Sequence, residues 1–175
     1  MSQPILSPTE WNKLIASLPG SHLLQTWEWG QVKAQFGWKP QGIAWSETST
    51  GTIAYTTFAG ISSLPNRPLA AAQILQRTLP IGGFAVRLRV LYVPKGPILD
   101  WANAPLQITV LDDLQALARQ SGAIFIKIDP DVRLGEGLPG QPGSQEDPIG
   151  FEVTAHLKNA AGASRMSKFN FEILC

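Results

Sequence analysis

The 175-residue chain reads as a mixed α/β layered domain, and three features predict it. A pair of short helical patterns comes first, a Thr- and Tyr-rich hairpin pattern follows, and a long amphipathic helix later runs straight into an apolar strand. That order argues against a helical bundle or an all-β barrel. The length suffices for one domain with a core of its own.

Ser7-Pro8-Thr9-Glu10 is a helix start, with serine as N-cap, proline at the first helical position and glutamate three residues after the cap. Trp11, Leu14, Ile15 and Leu18 then recur at helical spacing, which makes Trp11 a core residue, and Pro19-Gly20 ends the helix. A second helix runs from about Thr26 and puts Trp29, Val32 and Phe36 on one apolar stripe at i, i+3 and i+7, with Gly37 as its stop. Lys33 borders that stripe. A lysine so placed either lays its stem over carbon and leaves its charge in water, or offers the ammonium to a phosphate.

Beta structure takes over next. Residues 42–46 and 52–58 form an antiparallel hairpin about a polar turn at 48–51. Residues 60–68 are turn-rich and read as a surface excursion, while 69–79 read as strand or helix, because alanines blur the period. Residues 84–93 alternate Val86, Leu88 and Val90 against Arg87, Arg89 and Leu91, a half-buried strand entering the corner Pro94-Lys95-Gly96-Pro97. The most regular helix spans about 104–120, with Leu106, Val110, Leu111, Leu114, Leu117 and Ala118 on its buried stripe and Gly122 at its end. Residues 123–128, apolar apart from Lys127, suit a strand buried in a sheet with helices against it. Residues 134–148, rich in Gly and Pro, read as a flexible loop.

Fourteen Lys and Arg against thirteen Asp and Glu give a net charge of +1, which excludes a basic nucleic-acid wrapper. Any contact with RNA has to come from a local patch, and the nearest thing to one is Arg77, Arg87, Arg89 and Lys95, which solvated strand edges explain equally well. The first eight residues lack the basic start and apolar run of a secretory signal, and no stretch is apolar enough to span a bilayer, so a cytoplasmic protein is expected. With one cysteine, Cys175, and two histidines, His22 and His156, neither a disulfide nor a zinc site is expected. Neither histidine lies near a hydrolase nucleophile signature.

Two further segments carry candidate chemistry. Lys95-Gly96-Pro97 could bring backbone amides close to a phosphate, since glycine removes the side chain that would block approach, or it is a plain strand-ending turn. Asp129-Pro130-Asp131 places two carboxylates at a strand terminus, where they act chemically or merely form the turn.

Taken together, Gln25, Trp29, Lys33 and Gly37-Trp38, then residues 92–100 (Tyr-Val-Pro-Lys-Gly-Pro-Ile-Leu-Asp) and 126–132 (Ile-Lys-Ile-Asp-Pro-Asp-Val), resemble the FemABX family of peptidoglycan bridge-forming aminoacyltransferases, in the expected order from about Trp11 to Leu157. The resemblance implies an acyl-CoA N-acyltransferase (GNAT)-like layered fold, here incomplete, and makes 69–79 a strand. It implies a transferase of cell-wall (peptidoglycan) biosynthesis that moves an amino acid from aminoacyl-tRNA to an amine on a muropeptide precursor, without a cofactor. Lys33 then matches the lysine associated with the precursor's diphosphate, and Lys95 and Gly96 join it as weaker candidates. The glycine-rich coenzyme A loop of ordinary acetyltransferases does not occur. A coenzyme A-dependent N-acyltransferase and a non-catalytic nucleotide-sugar or protein-binding module stand as alternatives.

The resemblance ends at Leu157. Shifting the reading frame by one base decodes residues 160–175, with allowed codons, as Gly-Trp-Arg-Phe-Ser-Asp-Glu-Gln-Ile-Gln-Phe-Arg-Asn-Thr-Val, the continuation the family leads one to expect. Residues 1–157 are therefore expected to be the N-terminal part of a FemABX-like domain and 158–175 an out-of-frame tail. Such a chain is expected to be inactive alone, to touch lipid-linked precursor only peripherally, and to self-associate through exposed sheet.

Overall fold

The computed structural model describes residues 7–57, 67–80, 87–138, 141–165 and 170–173. Helix α1 (Pro8–Ala16) opens on the expected capping box: the Ser7 amide donates to Glu10 Oε2 at 2.7 Å and the Glu10 amide to Ser7 Oγ at 3.2 Å. A short 3-10 turn (Leu23–Gln25) leads into α2 (Trp27–Ala34). Strands β1 (Lys39–Glu47), β2 (Ile53–Thr57), β3 (Pro68–Pro80), β4 (Arg87–Val93) and β5 (Ile98–Leu99) follow, then α3 (Ala104–Gln120) and β6 (Ala123–Ile128). A ribbon of β7 (Gly135–Glu136) and β8 (Gln145–Glu146), α4 (Pro148–Arg165) and β9 (Asn170–Ile173) complete the order.

The main sheet runs β2-β1-β3-β4-β6-β9, with β5 beside β3. Strands β1 to β4 pair antiparallel, whereas β4, β6 and β9 are parallel, and α3 makes the crossover from β4 to β6 that a parallel pair requires. The period of two sorts side chains onto two faces. Ile43, Trp45, Ala70, Ala72, Ile74, Leu91, Val93, Ile126 and Ile128 meet the α3 stripe of Leu106, Val110, Leu111, Leu114 and Ala118. On the opposite face Ala44, Ala71 and Ile98 meet Trp11, Leu14, Ile15 and Leu18 of the α1 region. The hairpin, the strand over 69–79 and the helix over 104–120 lie where the sequence puts them, and Gly122 takes the left-handed φ of +68° that ends α3.

Several expectations change. The stripe of Trp29, Val32 and Phe36 does not face the core along its length: Val32 and Phe36 are 43% and 66% exposed, and Trp29 is partly buried. Helix α2 packs instead through Gly30, where a Cβ would stand 2.9 Å from Gln73 Oε1 and 3.1 Å from Pro40 Cβ. Only a residue without a side chain lets the helix lie that close to the sheet. Leu91, grouped by alternation with the arginines, is buried under α3, because β4 is an interior strand with cover on that side. Within 134–148 the flexible loop gives way to the β7–β8 ribbon, in which Gly135 pairs with Glu146. In β6, Ile124 is exposed at the strand's start while Ile126 and Ile128 are fully buried. The excursion over 60–66 and the strand residues 84–86 lie outside the described residues. Arg77, Arg89 and Lys95 do not cluster: Arg77 pairs with Val90 and Arg89 with Thr78, so alternation sends the two arginines to opposite faces, and Lys95 lies beyond the far end of β4.

Candidate functional site: a charged and aromatic strip on the sheet

The most buried polar residue organises the site. Gln25 is 0% exposed, and its side chain joins three elements. Its Oε1 accepts the Gln73 amide of β3 at 2.6 Å, its Nε2 donates to the Pro94 carbonyl, and its own carbonyl accepts Trp11 Nε1 at 2.9 Å. Gln73 Nε2 returns a bond to the Thr26 carbonyl at 2.8 Å. The turn after β4 closes on Gln25 so tightly that a Cβ on Gly96 would lie 2.8 Å from Gln25 Nε2. Gly96 is thus required by packing, and Gln25 fixes both α2 and the Lys95 turn to the sheet.

From this anchor a strip of charged and aromatic side chains crosses the sheet. At one end, Lys33 Nζ stands 4.7 Å from the centre of the Trp29 ring, within cation–π range. The Trp38 amide donates to the Lys33 carbonyl at 3.2 Å. Trp38 carries the Arg77 guanidinium over its ring at 5.6 Å and lies 6.5 Å from Tyr92, tilted by 54°. The Tyr92 hydroxyl reaches Asp129 Oδ2 at 3.4 Å. Burial, then the charge of Asp129 and their hydrogen bond, push the Tyr92 phenol above its usual range, so it stays a neutral donor. At the other end Lys95 Nζ is 3.7 Å from Asp129 Oδ1 and 3.5 Å from Asp131 Oδ1. Lys95 is the one described non-glycine residue with positive φ (+47°), a conformation that turns its side chain toward the ends of β4 and β6. The carboxyl ends of adjacent parallel strands are where α/β sheets place ligands.

The three regions singled out in the sequence therefore converge, but their ends differ. Lys33 has an indole beneath it and is in none of the described ion pairs, whereas Lys95 shares its charge between two carboxylates. Trp38 and Arg77 were not paired by sequence reasoning, since their contact depends on the β1–β3 register, in which Pro40 faces Leu75. Among the described residues no group of His, Cys, Asp and Glu could hold a metal ion, and no helix is long and apolar enough to cross a membrane.

Residues 6–139 match the FemAB family. Similar proteins include the lipid II:glycine glycyltransferase of Staphylococcus aureus strain bovine RF122 / ET3-1, 26% identical over 137 residues, and that of strain USA300, 24% identical over 138 residues. Each comparison takes in 78% of this chain and 28% of the relative, so the chain spans less than a third of the length of the curated relatives it matches. The crystal structure of FemX superposes with a TM-score of 0.57 at 21% identity, covering 87% of this chain and 30% of FemX, which is a likeness of fold. With most of its length matched in one continuous stretch, the chain belongs to the FemAB family.

Proposed function

We propose that this chain supplies the precursor-binding part of an aminoacyltransferase of peptidoglycan bridge formation, acting on the cytoplasmic side on lipid II or a nucleotide-linked muropeptide with aminoacyl-tRNA as donor. The carrying observation is the polarity of the strip, with Lys33, in none of the described ion pairs, at one end and the Asp129–Lys95–Asp131 group at the other. A precursor has a diphosphate at one end and a basic amine on its stem peptide, and the strip offers a cation to the first and surplus carboxylate to the second. In this reading Lys33 binds the diphosphate. Lys95 and Gly96 shape the far wall, Lys95 by orienting the two carboxylates and Gly96 by letting the turn close on Gln25.

Transfer itself needs the amine held against an aminoacyl ester and a group to stabilise the oxyanion. Among the described residues the strip supplies a cation and carboxylates suited to holding a precursor, and we assign it binding without transfer. The exposed Leu134, Leu138 and Phe151 near α4 support self-association through apolar surface, read as a concentration-dependent elution volume. The out-of-frame reading of residues 161–175 is decided by the gene's nucleotides there, and codons incompatible with the shifted decoding refute it.

Titrating a UDP-linked muropeptide against the chain and its Lys33→Ala variant tests the central reading. Binding that is lost in the variant alone supports it, and equal binding removes Lys33 from the site. Product formed by the chain alone from aminoacyl-tRNA and precursor overturns the assignment of binding without transfer. A rise in melting temperature with acetyl-CoA favours the coenzyme A alternative instead.

A further inference from the structure

We propose that Arg77 is a second cation of the anion site that Lys33 opens, so that a diphosphate is gripped by the ammonium from α2 and the guanidinium from β3. The inference rests on the precursor-binding reading above and adds to it a residue on a different element.

The two cations are built alike and share a face. Lys33 Nζ sits 4.7 Å from the Trp29 ring centre and the Arg77 guanidinium carbon 5.6 Å from that of Trp38, and each indole holds its cation at a defined place. The backbone bond from the Trp38 amide to the Lys33 carbonyl ties the two units to one turn. Register fixes the face. Gly42 lies under Trp11 of α1 and pairs with Gln73, and Pro40 lies under Gly30 of α2 and pairs with Leu75. Arg77 is two residues beyond Leu75, so alternation sends it out on the face that carries α1 and α2.

Neither cation has a carboxylate partner in any described ion pair. Asp129 and Asp131 are shared with Lys95, and Glu28, on the same helix as Lys33, takes the Asn12 amide at 3.0 and 2.8 Å. A diphosphate carries more negative charge than one ammonium can offset, and a guanidinium suits it through paired donors in one plane. Tyr92 and Arg77 already border the Trp38 ring, so the ring serves as backing for the guanidinium more than as an open platform for a base.

The test is calorimetric titration of the full chain with a UDP-linked muropeptide and with the same muropeptide stripped of its nucleotide diphosphate. Arg77→Ala and Lys33→Ala should each weaken binding of the first roughly tenfold or more and leave the second unchanged, with Arg77→Lys in between. Arg77→Ala binding like the parent while Lys33→Ala fails overturns the role of Arg77 and leaves that of Lys33 standing. Parent-like binding by both variants, or no binding by the parent, overturns both. Equal weakening toward the two ligands also overturns the proposal, because the guanidinium then acts on something other than the diphosphate. Arg77 is exposed, so its variants should melt with the parent. If Arg77→Ala melts lower, Arg77→Gln and Trp38→Phe are read by the same criteria.

Discussion

The two lysines at the ends of the strip have the same side chain and opposite surroundings. Lys33 leaves a helix that touches the sheet through a glycine, rests on an indole and is in none of the described ion pairs; Lys95 leaves a tight turn and is held between Asp129 and Asp131. An ammonium on an aromatic face keeps its full charge for a ligand, whereas one between two carboxylates has already been neutralised and leaves the group net negative. The difference teaches that residue type alone does not set how much charge a lysine has left to offer. What else lies within reach of the charge decides it.

The largest expected effect breaks both ends at once. Gln25→Leu leaves the Gln73 amide and the Pro94 carbonyl buried without partners and should cost about 3 kcal/mol or more in chemical denaturation. Both α2 and the Lys95 turn should then loosen, seen as faster amide exchange in each. Next in size is the contrast between the lysines: Lys33→Ala should weaken diphosphate-ligand binding about tenfold, while Lys95→Met should change it by no more than about twofold. Comparable losses in the two would erase the distinction drawn above.

Tyr92→Phe should cost less than about 1 kcal/mol, since the bond to Asp129 is 3.4 Å long and its surroundings are partly solvated. Its pH signature is sharper. The folded phenol titrates above the unfolded one, so stability is fully present below the ordinary phenol range and falls as pH rises through it toward the folded value. The variant should lack that alkaline loss. Smallest is Asp147→Asn at the head of α4. The Arg133 hydrogen bond, with the Ile149 and Gly150 amides, holds the Asp147 carboxyl below the usual range. Its contribution is present above the unfolded value and lost as pH falls through the folded one, so the parent should lose stability in acid and the variant should not show that portion.

Much of the framework was legible because it depends on local rules. The capping box of Ser7 and Glu10, the hairpin and the 104–120 helix with its terminal glycine each follow from neighbours within a few residues. Helix α2 was misread for an equally physical reason. Its apolar spacing pointed to Trp29, Val32 and Phe36, but a glycine allowed closer approach on another side, and close packing against Pro40 and Gln73 won. The alanines of β3 hid its period, yet their small size is what lets Trp11 and Trp45 pack on opposite faces beside them.

By itself the sequence determined the class of fold, which rests on spacing and short-range capping, and its ordered motifs carried the resemblance that the family match bears out. Only the tertiary structure decided which charges enter the described ion pairs. Strand register brought Arg77 onto Trp38, and the buried Gln25 amide drew the Lys95 turn beside Asp129 and Asp131. An ion's chemistry is set by what stands within a few ångströms of it, and those neighbours come from distant parts of the chain.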